Sequence, residues 1–142
     1  MNRIQELSEL WHIVGMRMKN EMSSGKYPAI LGVSMVELSI LEVIENCPFC
    51  MMKKVSDMLG LPKSTLTSAI KRLEEKEYVK RNHSSKDKRA YSLELTKWGL
   101  QAQEEHRSIE TSVFQELLQH LDVQETDILM KLFAKAVNKI EE

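Results

Sequence analysis

Between Leu59 and Lys63 the chain has only Gly60, Leu61 and Pro62 in which to end one helix and begin the next. The stretch before this break, Lys53–Leu59, turns Val55, Met58 and Leu59 inward, and Gly60 supplies the left-handed residue that commonly closes a helix. In the stretch after it, Pro62–Lys76, the apolar residues Leu66, Ala69, Ile70 and Leu73 share one face. Ser64, Thr65, Ser68, Lys71 and Arg72 fall largely on the other. A short helix, a tight turn and a longer helix with a hydroxyl-rich, basic outer face form the pattern of a helix-turn-helix.

The next segment is strand-like. Tyr78-Val79-Lys80-Arg81 and Ala90-Tyr91-Ser92-Leu93-Glu94-Leu95 flank a polar stretch, Asn82–Arg89, and Tyr91, Leu93 and Leu95 alternate with small or polar residues. Eight residues exceed the two to five usual in a hairpin loop, and long polar loops in small domains tend to have a task.

Helical stripes occupy both ends of the chain. Ile4, Leu7, Trp11, Val14 and Met18 recur at spacings of three and four, widened by Leu10 and Ile13. Ser23–Pro28 breaks this helix. Ser34 with Glu37 forms a capping box for a helix carrying Val36, Leu38, Leu41 and Ile44, which Asn46-Cys47-Pro48 stops. Thr96 can cap a rod of about 24 residues, roughly 35 Å, whose stripe includes Ile109, Val113, Leu117 and Leu121. Asp122 with Glu125 opens a last helix bearing Ile128, Leu129, Leu132, Phe133, Ala136, Val137 and Ile140. These terminal stripes exceed what one small module needs to cover, so a second copy of the chain is the expected partner.

The net charge of −1 over 142 residues would by itself argue against a polyanion partner. Its distribution argues the other way. Residues 53–97 hold twelve basic and six acidic side chains, and the rest holds eight basic and fifteen acidic. A basic middle between acidic ends suggests one surface that attracts a polyanion, although a charged helix face is more often simply solvated.

Val55–Gly99 resembles the winged helix-turn-helix of the MarR family of bacterial transcriptional regulators. The resemblance is carried by Asp87-Lys88-Arg89, then by the alternating Tyr91-Ser92-Leu93-Glu94-Leu95, and then by Thr96 and Gly99. Upstream, Lys63-Ser64-Thr65-Leu66-Thr67 and Arg72-Leu73-Glu74 match the family's recognition helix. The expected fold is therefore mainly α (α+β): a winged helix-turn-helix with a two-stranded β-wing and long N- and C-terminal dimerisation helices. Residues 34–97 would form the DNA-binding lobe, and residues 1–33 and 98–142 the helical dimerisation region, merged into one domain.

The chemistry suits DNA. A helix fits the major groove, where Lys63, Ser64, Thr65, Thr67, Ser68, Lys71 and Arg72 can meet base edges and phosphates. A loop ending in Arg89 suits the minor groove, whose narrow A·T-rich stretches concentrate negative potential. Asp87 is expected to orient the Arg89 guanidinium, a role the resemblance also implies, and Arg81, Lys86 and Lys88 are assigned to phosphates. The expected function is a sequence-specific transcriptional regulator, acting as a homodimer on a pseudo-palindromic operator. The resemblance further implies repression as the commoner outcome and a small aromatic effector as a ligand that releases DNA. The family usually has Gly where Glu77 stands, so the exit from the recognition helix departs from its pattern.

Cys47-Pro48-Phe49-Cys50 leaves two other readings open, a thiol-based redox sensor or redox protein and structural thiols. Zinc would need two further ligands at suitable spacing, and no second C-x-x-C or H-x₃₋₅-H is present. The family's peroxide-sensing members carry a cysteine in the first helix, and residues 3–22 contain none. His106 and Glu110 are four apart, which is more often a solvated pair than a metal site. A third reading is a helical interaction adaptor with a degenerate winged helix.

No catalytic triad, glycine-rich nucleotide loop or paired carboxylates stand out, so neither enzyme activity nor a cofactor is expected. No apolar run reaches the ~18 residues of a membrane span, and the N-terminus lacks the apolar core of a signal peptide. A cytoplasmic protein without a membrane partner is the expectation.

Overall fold

A computed structural model of the chain describes residues 2–83 and 91–141. Among these residues the order is α1 (Arg3–Met22), a 3-10 turn (Ile30–Gly32), α2 (Met35–Glu45), α3 (Met52–Leu59), α4 (Lys63–Glu75), β1 (Val79–His83), β2 (Tyr91–Leu95), α5 (Lys97–Leu118) and α6 (Val123–Glu141). β1 and β2 are antiparallel, with Val79 opposite Leu95, Arg81 opposite Leu93 and His83 opposite Tyr91. The mainly helical winged helix-turn-helix expected from the sequence is the fold observed.

Two compact units divide the chain, residues 19–108 and residues 1–18 with 109–142. The first gathers Leu38, Ile40, Leu41 and Ile44 of α2, Val55 of α3, the Leu66, Ala69, Ile70 and Leu73 face of α4, and Leu93 and Leu95 of β2 into a buried core. Local chemistry sets its element boundaries. The Ser34 hydroxyl accepts from the Glu37 amide at 3.1 Å while the Glu37 carboxylate accepts from the Ser34 amide at 3.2 Å, which completes the capping box at α2. Gly60 ends α3 with a φ of 64°, a left-handed conformation that costs glycine little.

A second knot lies where the wing hands over to α5. The Thr96 amide donates to the Tyr78 carbonyl at 3.0 Å, its hydroxyl donates to the Glu77 carbonyl at 2.5 Å, and its Oγ1 accepts from the Gly99 amide at 3.1 Å. A Cβ at position 99 would collide with the Tyr78 carbonyl oxygen. The paired Thr96 and Gly99 thus have a steric reason, because strand and helix approach too closely here for any side chain. The Tyr78 hydroxyl donates to the Ala29 carbonyl at 2.5 Å. The buried Glu105 carboxylate accepts from the Ala29 amide at 2.8 Å and the Ile30 amide at 3.1 Å, fixing the start of the 3-10 turn.

In the other unit, the Asp122 carboxylate accepts from the Glu125 amide at 2.8 Å and the Glu125 carboxylate from the Asp122 amide at 3.1 Å, the capping box expected at α6. Arg17 and Glu116 form an ion pair at 2.8 Å. The apolar stripes stay uncovered. Ile4, Leu7, Trp11, Ile128, Leu132 and Ile140 are exposed, and no described residue of α6 is buried.

Several sequence expectations need correction. α4 begins at Lys63 rather than Pro62, whose ψ of 145° is extended. Pro62 serves instead as the N-cap, its carbonyl accepting from the Leu66 amide at 3.0 Å, and its missing N–H costs nothing there. Met58 is exposed, because a two-turn helix seated between α2 and α4 covers little more than the stripe of Val55. β1 extends through His83, so Asn82 and His83 pair with Ser92 and Tyr91 rather than lying in the loop. α5 has 22 residues and ends at Leu118, leaving Leu121 beyond it.

Candidate nucleic-acid interface

The outward face of α4 is polar and free of internal commitments. Lys63, Ser64, Thr65, Ser68, Lys71 and Arg72 are exposed, and among the described residues none of their side chains takes part in a hydrogen bond or ion pair. Their placement follows from the opposite face, where Leu66, Ala69, Ile70 and Leu73 are each at most 1% exposed and fix the helix rotation. Thr67 is exposed too, but its hydroxyl donates to the Lys63 carbonyl at 2.8 Å, so its proton is spent within the helix. The turn feeding α4 is held by the Ser56 hydroxyl, which donates to the Leu61 carbonyl at 2.9 Å.

Arg81 is placed differently. Its Nε and Nη2 donate to the Glu74 Oε1 at 2.8 and 2.7 Å, and its guanidinium lies 4.4 Å from the centroid of the Tyr91 ring. The hydrogen bond to Glu74 raises its pKa against the opposing effect of burial. The cation is thus tethered between the last turn of α4 and the wing. Glu74 escaped the sequence reading as a site residue, since its partner lies seven positions on, beyond the helix end. On the same hairpin Lys80 and Glu94 pair at 3.7 Å and Asn82 donates to Glu94.

Glu77 occupies the turn from α4 to β1 with a φ of 65°. The Tyr78 amide donates to the Leu73 carbonyl at 2.8 Å and the Glu77 amide to the Glu74 carbonyl at 3.0 Å, which is the Schellman closure that usually places Gly at this position. The turn is therefore the glycine-type turn, built here with a glutamate. Lys86, Asp87, Lys88 and Arg89 lie outside the described residues, as does the stretch 84–90 that contains them.

Both cysteines are free thiols. Cys47 is half-buried, while Cys50 is fully buried, and burial with a hydrogen bond to Cys47 pushes the Cys50 thiol up to about 12. Among the described residues no three His, Cys, Asp or Glu side chains are grouped to hold a metal ion, and no helix is long and apolar enough to cross a membrane.

Comparison with known proteins agrees with this geometry. Residues 33–91 match the model of the MarR family. The HTH-type transcriptional regulator SarZ of Staphylococcus aureus is 35% identical over 77 residues, covering 54% of this chain and 52% of SarZ. The chain thus spans about half the length of the curated relatives it matches. A MarR/EmrR family transcriptional regulator from Acinetobacter sp. ADP1 superposes with a TM-score of 0.61 at 29% identity, over 99% of both chains. Streptococcus pneumoniae FabT, in a crystal structure with DNA, superposes with a TM-score of 0.80 at 23% identity, over 98% of this chain and 96% of FabT. With the helix-turn-helix, the wing hairpin and the Thr96–Gly99 junction all in place, residues 33–91 are similar to the MarR family in sequence, and the described fold is similar to that of a MarR/EmrR family regulator.

Proposed function

We propose that the chain is a sequence-specific DNA-binding transcriptional regulator that acts as a homodimeric repressor on a pseudo-palindromic operator and is released by a small aromatic ligand. The observation that carries this reading is the outer face of α4, where three hydroxyls and three cations stand exposed without partners among the described residues, on a helix whose inner face is locked in the core. Ser64, Thr65 and Ser68 offer donors and acceptors to base edges, while Lys63, Lys71 and Arg72 serve phosphates and guanine. Lys86, Lys88 and Arg89 extend the footprint to the flanking phosphates and the minor groove, with Asp87 orienting Arg89.

Two recognition helices reading one duplex require a twofold partner. The uncovered apolar residues of α1 and α6, including Trp11 at 65% and Ile140 at 84% exposure, supply a surface that a second copy would bury. In such a dimer the half-sites lie one helical turn, roughly 34 Å, apart. An effector shifts DNA affinity only as far as it binds the two spacings of the recognition helices differently, and a coupling of ~1–3 kcal/mol corresponds to about 5- to 150-fold.

Selection of bound duplexes from a random DNA pool tests the reading. A palindromic consensus with half-sites one turn apart is the expected result. Weak binding that is equal for every sequence would overturn it. A flat salt response would point instead to the interaction adaptor, because phosphate contacts release counterions and make affinity fall with salt.

A further inference from the structure

The helix-turn-helix makes no use of the turn that joins α2 to α3, yet that turn is built into the wing. Pro48 and Phe49 are its corner residues, Phe49 with a φ of 53° and a side chain 88% exposed. A four-residue turn brings its first and last Cα atoms within about 7 Å, a separation that overlaps the range a disulfide spans. Cys47 stands at one end, half-buried, and Cys50 at the other, fully buried. The Cys50 main chain also forms a β-bridge with Leu93, whose amide donates to the Cys50 carbonyl at 2.6 Å. Leu93 in turn faces Arg81 across the hairpin. A cavity of about 390 Å³ lies beside the turn, lined among others by Cys47, Pro48, Phe49 and Leu93, so the half-buried Cys47 stands at its wall.

We propose that Cys47 and Cys50 are a reversible dithiol–disulfide site, oxidised by a low-molecular-weight disulfide, and that closing it disturbs the Cys50–Leu93 bridge to the wing. Cys47 loses its proton to solvent and its sulfur attacks one sulfur of R–S–S–R. The R–S–S–R bond breaks, R–S⁻ leaves and takes up a proton, and Cys47–S–S–R remains. The Cys50 sulfur then attacks the Cys47 sulfur. A second R–SH leaves with the proton that Cys50 carried. The two protein thiols lose two electrons and two protons, and the small disulfide gains both.

Cys47 is the entry point because only it is reachable from outside; buried Cys50 resolves the mixed disulfide. Bridging demands Cβ atoms about 3.8 Å apart and a Cβ–S–S–Cβ dihedral near 90°. The Cys50 side chain is packed on all sides, so tightening the turn moves its main chain, and its carbonyl is the acceptor for the Leu93 amide. Any consequence for DNA affinity rests on the DNA-binding reading above, whereas the thiol chemistry does not.

The test equilibrates the full chain with oxidised and reduced glutathione at graded ratios, quenches with acid, alkylates free thiols with iodoacetamide and weighs the intact protein. Amide hydrogen exchange at Leu93 and affinity for the selected duplex are measured on the same samples. The expected result is a chain lighter by two hydrogen atoms and free of alkyl groups, with Leu93 exchange at least ~10-fold faster and duplex affinity at least ~5-fold weaker. Cys47→Ser, altered at a half-buried position, should remain insensitive to glutathione in exchange and in affinity. Two alkylated thiols under oxidised glutathione would overturn the proposal, as would accumulation of the mixed disulfide alone. Unchanged Leu93 exchange in a fully oxidised chain would overturn the link to the wing. A reduced chain that binds no duplex counts against the DNA-binding reading alone, since mass and exchange still decide the disulfide.

Discussion

The Glu74 carboxylate holds the Arg81 guanidinium at 2.7 Å, joining the last turn of α4 to β1, the first strand of the hairpin. Both side chains are about 30% exposed, at 31% for Arg81 and 28% for Glu74, so this pair is less screened than a surface ion pair and far from a dry one. A double-mutant cycle with Glu74→Ala and Arg81→Ala should return a coupling of about 1 kcal/mol in urea unfolding. Because the Arg81 cation also lies over Tyr91, Arg81→Lys should recover little of it, since a lysine loses the two-pronged contact and the stacked plane. A coupling near zero would mean that the wing is oriented by its backbone pairing alone.

Glu77 should be replaceable with profit. A non-glycine residue in the left-handed region costs on the order of 1–2 kcal/mol, while glycine gives part of that back through the entropy of the unfolded chain. Glu77→Gly is therefore expected to stabilise the fold by about 0.5–1 kcal/mol and to leave the Tyr78-to-Leu73 closure intact. Equilibrium denaturation of the variant measures this, and a loss of stability would show that the glutamate side chain has a compensating contact.

Features decided by neighbouring residues were legible in the sequence. Ser34 with Glu37, Asp122 with Glu125, and Gly60 announce their caps within four positions, and the inner face of α4 follows from its period alone. Periodicity names a face but not its width, which is why Met58, expected to turn inward, stands exposed. The commitments that cross elements left no local trace. Nothing in Asn82-His83 says that β1 continues through them, because the pairing is decided by Ser92 and Tyr91 opposite. The Arg81 tether to Glu74 and the Cys50 bridge to Leu93 were hidden for the same reason.

Glu105 anchors the segment that leads into α2, and its loss should be costly. Its carboxylate accepts from the Ala29 and Ile30 amides, whose residues are 0% and 1% exposed, and from the Gln101 side chain at 2.9 Å. Glu105→Ala leaves two buried N–H groups unsatisfied, a penalty of about 2–4 kcal/mol. Glu105→Gln retains one acceptor oxygen and should lose roughly half as much. Denaturation midpoints of the two variants check the order, and equal losses would assign the effect to packing rather than to hydrogen bonding.

Alkaline pH should weaken the fold through Cys50. Burial and the hydrogen bond with Cys47 push its thiol up to about 12 from an ordinary 9.0, so the folded chain keeps a proton that the unfolded chain gives up. Its contribution is fully present below pH 9 and is lost as pH rises toward 12. Within that window the slope is at most about 1.4 kcal/mol per pH unit. Other groups titrate there as well, Tyr78 among them, its pKa also raised by burial. The measurement is therefore the difference in slope between the parent chain and Cys50→Ala, each followed by urea unfolding from about pH 8 to 10.5 under reducing conditions. The parent should lose stability more steeply above pH 9, whereas parallel curves would mean that the buried thiol ionises no less readily in the fold than in the open chain.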